Sequence, residues 1–314
     1  MPGSRMSVTT ASTEVLASSA RASSALAATT GVAVEQITLG NGSNEVLELV
    51  VRTFAGPANE VIFSEHAFVV YALVTQAIGA RAVATPARAW GHDLEAMLAA
   101  IDADTRVVFI ANPNNPTGTW LAERELRAFV ERVPGNVIVV IDEAYFEYVS
   151  EPDYPNAVQW LGEFPNLLVT RTFSKAYGLA ALRIGYGVSQ APLADILNRV
   201  RQPFNVNSFA LAAALAALAD QDHLAAIVRA NRAGMQQLVA GLRALRLDFI
   251  PSVGNFVAVD VRRDAGRVYE QLLREGVIVR PVENYAMPGY LRISIGLEEE
   301  NRRALEALER VLAL

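Results

Sequence analysis

An α/β fold, with a mostly parallel central sheet flanked by helices and a smaller C-terminal α+β domain, is what this sequence of 314 residues predicts. Three observations carry that expectation. Short apolar runs of strand length alternate with helical stripes from Ile37 to Val188, the pattern of a sheet covered on both faces. Polar loops follow Leu39, Ile110, Ile141 and Thr170, at the carboxyl ends of strand candidates, where ligands of such sheets gather. The chain also exceeds the usual single-domain length, and its alternation is interrupted by a mainly helical span before it resumes.

The elements follow in order. Residues 1–30, rich in Ser, Thr and Ala, read as a weak helix or a frayed arm. Ile37–Leu39 leads through Asn41–Asn44 into EVLELVVRTF, an apolar helical stripe that opens on small polar residues. Val61–Phe63 is a strand, His66–Ala77 helix-like, Arg81–Thr85 a short strand and Asp93–Ala100 a helix. Arg106–Ile110 reads as a buried strand that ends at ANPNNPTG. Leu121–Arg132 suits a helix, and Asn136–Ile141, Asn166–Thr170 and Ile184–Val188 suit strands. From Asn207 to Arg246 the chain is mainly helical. Asp248–Val261 then reads as strands around a glycine turn. Helix Ala265–Arg274, strands near Val277–Val279 and Leu291–Ile295, and helix Glu298–Leu312 complete the chain.

Composition narrows the function. Hydrophobic residues make up 52% and charged residues 19%, enough for a sizeable core and contrary to disorder. A net charge of -6 provides no basic field for nucleic acid. Cysteine is absent, which excludes disulfides and thiolate chemistry. His66, His92 and His223 sit in no metal-ligand pattern, so no metal site is expected. No apolar run reaches the roughly 18–20 residues of a membrane span, and no secretion pattern opens the chain, so a cytoplasmic location is expected.

Four stretches could carry chemistry. NGSN (Asn41–Asn44) can cradle a phosphate with backbone N–H groups at a helix start, although an ordinary N-cap explains it as well or better when read alone. NPNNPTG (Asn112–Gly118) combines backbone-fixing prolines with amide donors, and a structural loop accounts for it equally. In IDEAYFEY (Ile141–Tyr148), Asp142 and Glu143 stand at a strand's carboxyl end, either as solvated turn residues or as a holder of a protonated nitrogen. Tyr145 could offer its hydroxyl or simply pack. In RTFSKAYGLAALRIGYG, Lys175 precedes an apolar, glycine-containing run unlike an exposed helix. A lysine partly desolvated beside another cation can lose its proton and form a Schiff base, with Thr172, Ser174 and Arg183 as phosphate donors around it.

NPNNPTG, IDEAYF and TFSKAYGLAALRIGY together resemble the fold-type I pyridoxal-phosphate aminotransferases. RQPFNVNS (Arg201–Ser208), PSVGNFVAVD (Pro251–Asp260), GVIVRPV (Gly276–Val282) and PGYLRISIG (Pro288–Gly296) bring the chain nearest the histidinol-phosphate aminotransferases within that fold type. The resemblance runs from about Gly31 to the C-terminus. It implies a large pyridoxal-phosphate-binding domain over residues 31–240 and a small C-terminal domain over 241–314.

The resemblance also assigns roles. Lys175 is then the Schiff-base lysine, Asp142 the partner of the pyridine nitrogen, and Tyr145 and Asn115 the partners of the ring hydroxyl oxygen. Phe68 stacks on the ring. Ser43, Asn44, Thr172, Ser174 and Arg183 form the phosphate shell, and Arg292 and Arg280 bind substrate anions. The implied reaction moves the amino group of L-histidinol phosphate to 2-oxoglutarate, giving imidazole acetol phosphate and L-glutamate in histidine biosynthesis. A homodimer is expected because the family's site lies at a subunit interface.

The sequence departs from the family at its start. NENP-like and YPD-like segments are not visible, and residues 1–30 hold no tyrosine. A shortened N-terminal arm over 1–30, with weaker closure of the substrate pocket, is therefore expected. Other reactions that would share Lys175 and Asp142 are transamination of aromatic amino acids and decarboxylation of amino-acid phosphates. A truncated homologue that binds cofactor without turnover is the nonenzymatic alternative.

Overall fold

The computed structural model describes residues 8–313, so residues 1–7 of the expected arm lie outside the described residues. In chain order come α1 (Val8–Thr30), β1 (Ile37–Gly40), α2 (Ser43–Phe54), β2 (Glu60–Ser64), α3 (Val70–Ala77) and β3 (Arg81–Thr85). A small hairpin, β4 (Ala87–Arg88) and β5 (Gly91–His92), leads to α4 (Leu94–Ala99), β6 (Thr105–Ala111), α5 (Glu123–Arg132) and β7 (Ile138–Asp142). Then follow β8 (Leu167–Thr172), β9 (Gly185–Ser189), α6 (Ala191–Val200), α7 (Ser208–Ala219) and α8 (Gln221–Ala244). The chain closes with β10 (Asp248–Ile250), β11 (Phe256–Asp260), α9 (Ala265–Arg274), β12 (Arg280–Pro281), β13 (Tyr290–Ser294) and α10 (Glu298–Leu312).

Seven strands form the large sheet in the order β1-β9-β8-β7-β6-β2-β3. β8, β7, β6, β2 and β3 run parallel, while β9 is antiparallel to both neighbours. The link from β8 to β9 holds only a 3₁₀ turn at Ala180–Leu182, too short for a helical crossover, so the chain returns antiparallel. Alternate strand residues feed two cores. Ile62, Val108, Ile110, Val139, Ile141 and Val169 meet Leu26 of α1, Met97 of α4, Phe129 of α5 and Leu211 of α7 on one face. Val61, Val107, Phe109, Val140 and Leu168 meet Val46 of α2, Tyr71 of α3 and Leu197 of α6 on the other. Both faces are dry, which is why the strands read as continuous apolar runs.

The second sheet, β10-β11-β13-β12, is antiparallel and has a separate core against α9, α10 and the end of α8, where Leu238 and Leu242 are buried. α8 runs unbroken through residue 240 and links the two sheets. Leu291 and Ile293 of β13 face this core, which turns Tyr290 and Arg292 to the opposite side.

Three expectations need correction. No strand forms at Val277–Val279. Gly276 at φ +75° ends α9, the Val277 N–H donates to the Leu272 carbonyl, and Ile278 is 82% exposed, so the apolar triplet closes a helix and pairing begins at Arg280. The helix expected from His66 starts only at Val70, because residues 66–69 make a turn. The sequence reading passed over α6, although Leu193, Ala194 and Leu197 form a buried stripe behind Pro192. The β4–β5 turn is also unusual. Ala89 and Trp90 lie at φ +49° and +66°, where a residue with a Cβ pays about 1–2 kcal/mol and Asn or Gly is normally found.

Candidate active site

The strands' carboxyl ends bring the sequence-derived residues together. Ser43, Asn44, Phe68, Asn115, Asp142, Tyr145, Thr172, Ser174, Lys175 and Arg183 all line one cavity of about 190 Å³. Asp142 ends β7 and Thr172 ends β8, and the β8–β9 connection carries Ser174, Lys175 and Arg183. Ser43 opens α2, immediately after Gly42 at φ +75°.

Asp142 is buried and held from two sides. The Tyr71 hydroxyl donates to its Oδ2 at 2.9 Å and the Thr170 hydroxyl to its Oδ1 at 2.9 Å. Burial raises its carboxyl above the ordinary range, opposed by the Tyr71 and Thr170 hydrogen bonds and by the charge of Lys175. Such a group gains strongly from a cation placed against it. Lys175 is the only lysine in the chain and is half-buried, with Nζ 5.1 Å from the centroid of the Tyr145 ring. Burial first, and the Arg292 guanidinium second, lower its pKa; Asp142 opposes and Arg183 adds to the lowering. A fraction of neutral amine therefore forms at lower pH than for a free lysine.

The end of the cavity around Ser43 and Arg183 is built from backbone approach. A Cβ on Gly185 would meet the Ser43 backbone nitrogen at 2.3 Å, so only glycine lets β9 lie so close to the start of α2. The Ser174 N–H donates to the Thr172 hydroxyl at 3.1 Å, and Arg183, at φ +60°, reaches back toward Ser174. Glu45 accepts from the Asn41 N–H and from Asn205, which in turn accepts from Arg201 at 2.9 Å. Arg201 and Asn205 of RQPFNVNS thus brace the loop. Hydroxyls, a guanidinium and a helix N-terminus at one end, a buried carboxylate at the other and an amine between them fit the phosphate, ring nitrogen and aldehyde of pyridoxal phosphate.

Arg292 and Arg280 lie outside this lining. They are register partners on β13 and β12. Arg292 donates to Asn115 Oδ1 and lies 5.2 Å from the Phe256 ring, which itself packs on Tyr145. Its Nε is buried without a partner. Arg280 is exposed beside it.

Behind the site, on the other face of the sheet, Arg171 donates twice to Glu143 Oε2, at 2.9 and 2.7 Å, and ties β8 to the residue that follows β7. Sequence reasoning missed Tyr71, in the first turn of α3, because an aromatic residue in an apolar helical stripe reads equally as core. It also missed the most direct signal, a single lysine in a chain of this length.

One prediction follows from the electrostatics. With a single lysine, an amine-reactive reagent has two targets, Lys175 and the α-amino group. Arg292→Leu removes a neighbouring cation and raises the Lys175 pKa, so labelling of the Lys175 peptide moves to higher pH, as mass spectrometry across a pH series will read.

The family model for aminotransferase class I and II matches residues 7–308. A Pseudomonas fluorescens (strain Pf-5) protein named histidinol-phosphate aminotransferase 2 is 63% identical over 290 residues, covering 92% of this chain and 78% of that protein. Its Pseudomonas aeruginosa counterpart is 62% identical over 288 residues, covering 92% and 78%. Among solved structures, the histidinol-phosphate aminotransferase of Sinorhizobium meliloti in complex with pyridoxal-5'-phosphate superposes with a TM-score of 0.87 at 31% identity, covering 94% of this chain and 82% of that one. The aspartate aminotransferase of Thermus thermophilus with maleate gives 0.83 at 25% identity, covering 95% and 87%.

Proposed function

We infer the reaction from one premise: the chain belongs to the class I and II aminotransferases and, within them, to the histidinol-phosphate aminotransferases. It transfers the amino group of L-histidinol phosphate to 2-oxoglutarate, giving imidazole acetol phosphate and L-glutamate, as a step of histidine biosynthesis. The observation that carries this reading is the chain's single lysine, set in one cavity with the buried Asp142 and a cluster of phosphate donors.

When bound, pyridoxal phosphate supplies the aldehyde that takes the amino group and the ring that delocalises the electrons left at the donor Cα. Ser43, Asn44, Thr172, Ser174 and Arg183 hold its phosphate, and Phe68 covers its ring. Asp142, fixed by Tyr71 and Thr170, keeps the proton on the ring nitrogen. Tyr145 and Asn115 address the ring hydroxyl oxygen. The Lys175 amine, its pKa lowered by burial and by Arg292, takes the proton from the donor Cα and returns it on the cofactor side. Arg292 receives the anionic group of each substrate, with Arg280 adding positive charge at the mouth.

The chain acts as a cytoplasmic homodimer in this reading. Phe204 and Phe209, 50% and 79% exposed beside the site's bracing loop, support a partner surface there. No single helix among the described residues is long and apolar enough to cross a membrane. The test is a donor comparison. Histidinol phosphate with 2-oxoglutarate is expected to yield glutamate and no CO₂, at a kcat/KM at least about tenfold above phenylalanine, a gap of roughly 1.4 kcal/mol. CO₂ release, or phenylalanine as the better donor, would overturn the assignment.

A further inference from the structure

The β4–β5 turn places a tryptophan where backbone geometry asks for glycine or asparagine. Trp90, at φ +66°, follows Ala89, at φ +49°, so two residues with Cβ atoms occupy consecutive left-handed positions. Strain of this kind persists where the surroundings over-determine the conformation, and it concentrates at sites that must hold a geometry. The surroundings here are specific. The Trp90 ring lies 5.2 Å from His66 and 5.0 Å from Tyr290, and it packs with Val69 and Tyr290 on the small buried cluster of Ile250, Val282 and Met287.

These rings join the two sheets. His66 belongs to the turn after β2 that presents Phe68, and its Nδ1–H donates to the Tyr285 carbonyl at 2.7 Å. Its own carbonyl accepts from Asn114 in the NPNNPTG loop at 3.1 Å. Tyr290 lies on β13 two residues before Arg292, on the same strand face. One stack therefore links the loops carrying Phe68 and Asn115 to the strand carrying Arg292, beside the direct Arg292–Asn115 hydrogen bond. The unpartnered Nε of Arg292 leaves that side chain with donor capacity for an anion.

We propose that Trp90 is a positioning residue for substrate: wedged between His66 and Tyr290, it holds β13 against the large sheet so that Arg292 meets the substrate's anionic group at a fixed distance from Lys175. The inference rests on the proposed role of Arg292. Trp90 does not line the cavity around Lys175, so its removal acts on anion binding and leaves the proton transfer at Lys175 in place.

The test uses cofactor-loaded protein, so that inorganic phosphate probes the Arg292 region while the cofactor's own phosphate fills its cradle. Trp90→Gly relieves the turn as it removes the ring. It is expected to raise KM for histidinol phosphate and weaken phosphate binding by calorimetry, each about tenfold, the size that two aromatic pairs carry. kcat changes less than about twofold and the melting temperature holds. Ala89→Gly relieves the same turn with the ring in place, so it keeps the wild-type KM and melts higher. Tyr290→Leu, which leaves the turn alone, reproduces the KM and phosphate effects even if Trp90→Gly folds poorly.

Arg292→Leu separates the two ideas. If it leaves KM and phosphate affinity at wild type, the anion role of Arg292 fails and this inference falls with it. If Arg292→Leu loses both while Trp90→Gly and Tyr290→Leu keep both, the positioning role alone is overturned. A loss confined to melting temperature in the two aromatic variants overturns it as well.

Discussion

Lys175→Ala is expected to abolish transamination, lowering kcat by about 10⁴-fold or more, the upper end of what a positioned acid–base group supplies. The size follows from the site. Lys175 is the only amine of its kind in the chain, so no neighbouring lysine can substitute for it. The remaining nitrogen groups near it, on Arg183 and Arg292, are guanidinium ions that do not give up protons at working pH. Stopped-flow absorbance on adding histidinol phosphate reads the proton-transfer step directly. Folding should be unaffected, since shortening the half-buried side chain breaks no side-chain hydrogen bond or ion pair among the described residues, and cofactor added to the variant should still occupy the cavity. Turnover within tenfold of wild type would show that another group moves the proton.

Asp142→Asn carries the second-largest effect, a loss of about 10²–10³-fold in kcat, the cost of removing one preorganised electrostatic contact at a reacting group. The substitution keeps the shape of the side chain and can keep both hydrogen bonds, because the amide oxygen accepts from one hydroxyl while the other rotates to accept from the amide. What disappears is the negative charge proposed to keep a ring nitrogen protonated. The loss should appear in kcat with KM for the donor nearly unchanged, since Arg292 and the phosphate shell are untouched. Tyr71→Phe tests the support beneath it. Removing the 2.9 Å donor to Oδ2 takes away a bond that favours the ionised form, so the Asp142 carboxyl rises further, and the acid limb of the pH–rate profile moves to higher pH.

Much of this architecture is legible in the sequence because both of its determinants are local. Buried strands such as Thr105–Ala111 and Ile138–Asp142 carry the apolar runs VVFIA and IVVI; the second ends in Asp142 itself, and the first leads into the loop that holds Asn115. Lys175 stands out because a desolvated lysine beside an apolar run is costly. What escaped the sequence depends on contacts between distant segments. Tyr71 reads as one more apolar residue of a helical stripe until Asp142 is placed above it. Trp90 has no pattern at all, since its ring partners belong to different sheets, His66 to the turn after β2 and Tyr290 to β13, far along the chain. Val277–Val279 misleads because helix closure and strand entry both consume short apolar runs, and only Gly276 with its positive φ decides between them.

The place of β1 in the large sheet governs how the protein comes into being. Among the described residues β1 pairs with β9 alone, Ile37 opposite Val188 and Gly40 opposite Gly185, and the turn that carries Ser43 hangs from its end. Synthesis runs from the N-terminus, so the β1–β9 pairing forms only after Ser189 has left the ribosome and a long loop has closed. The same closing segment carries Lys175. Lys175 and the turn at Ser43 therefore reach their relative placement through one nonlocal pairing, whose long loop makes closure entropically costly.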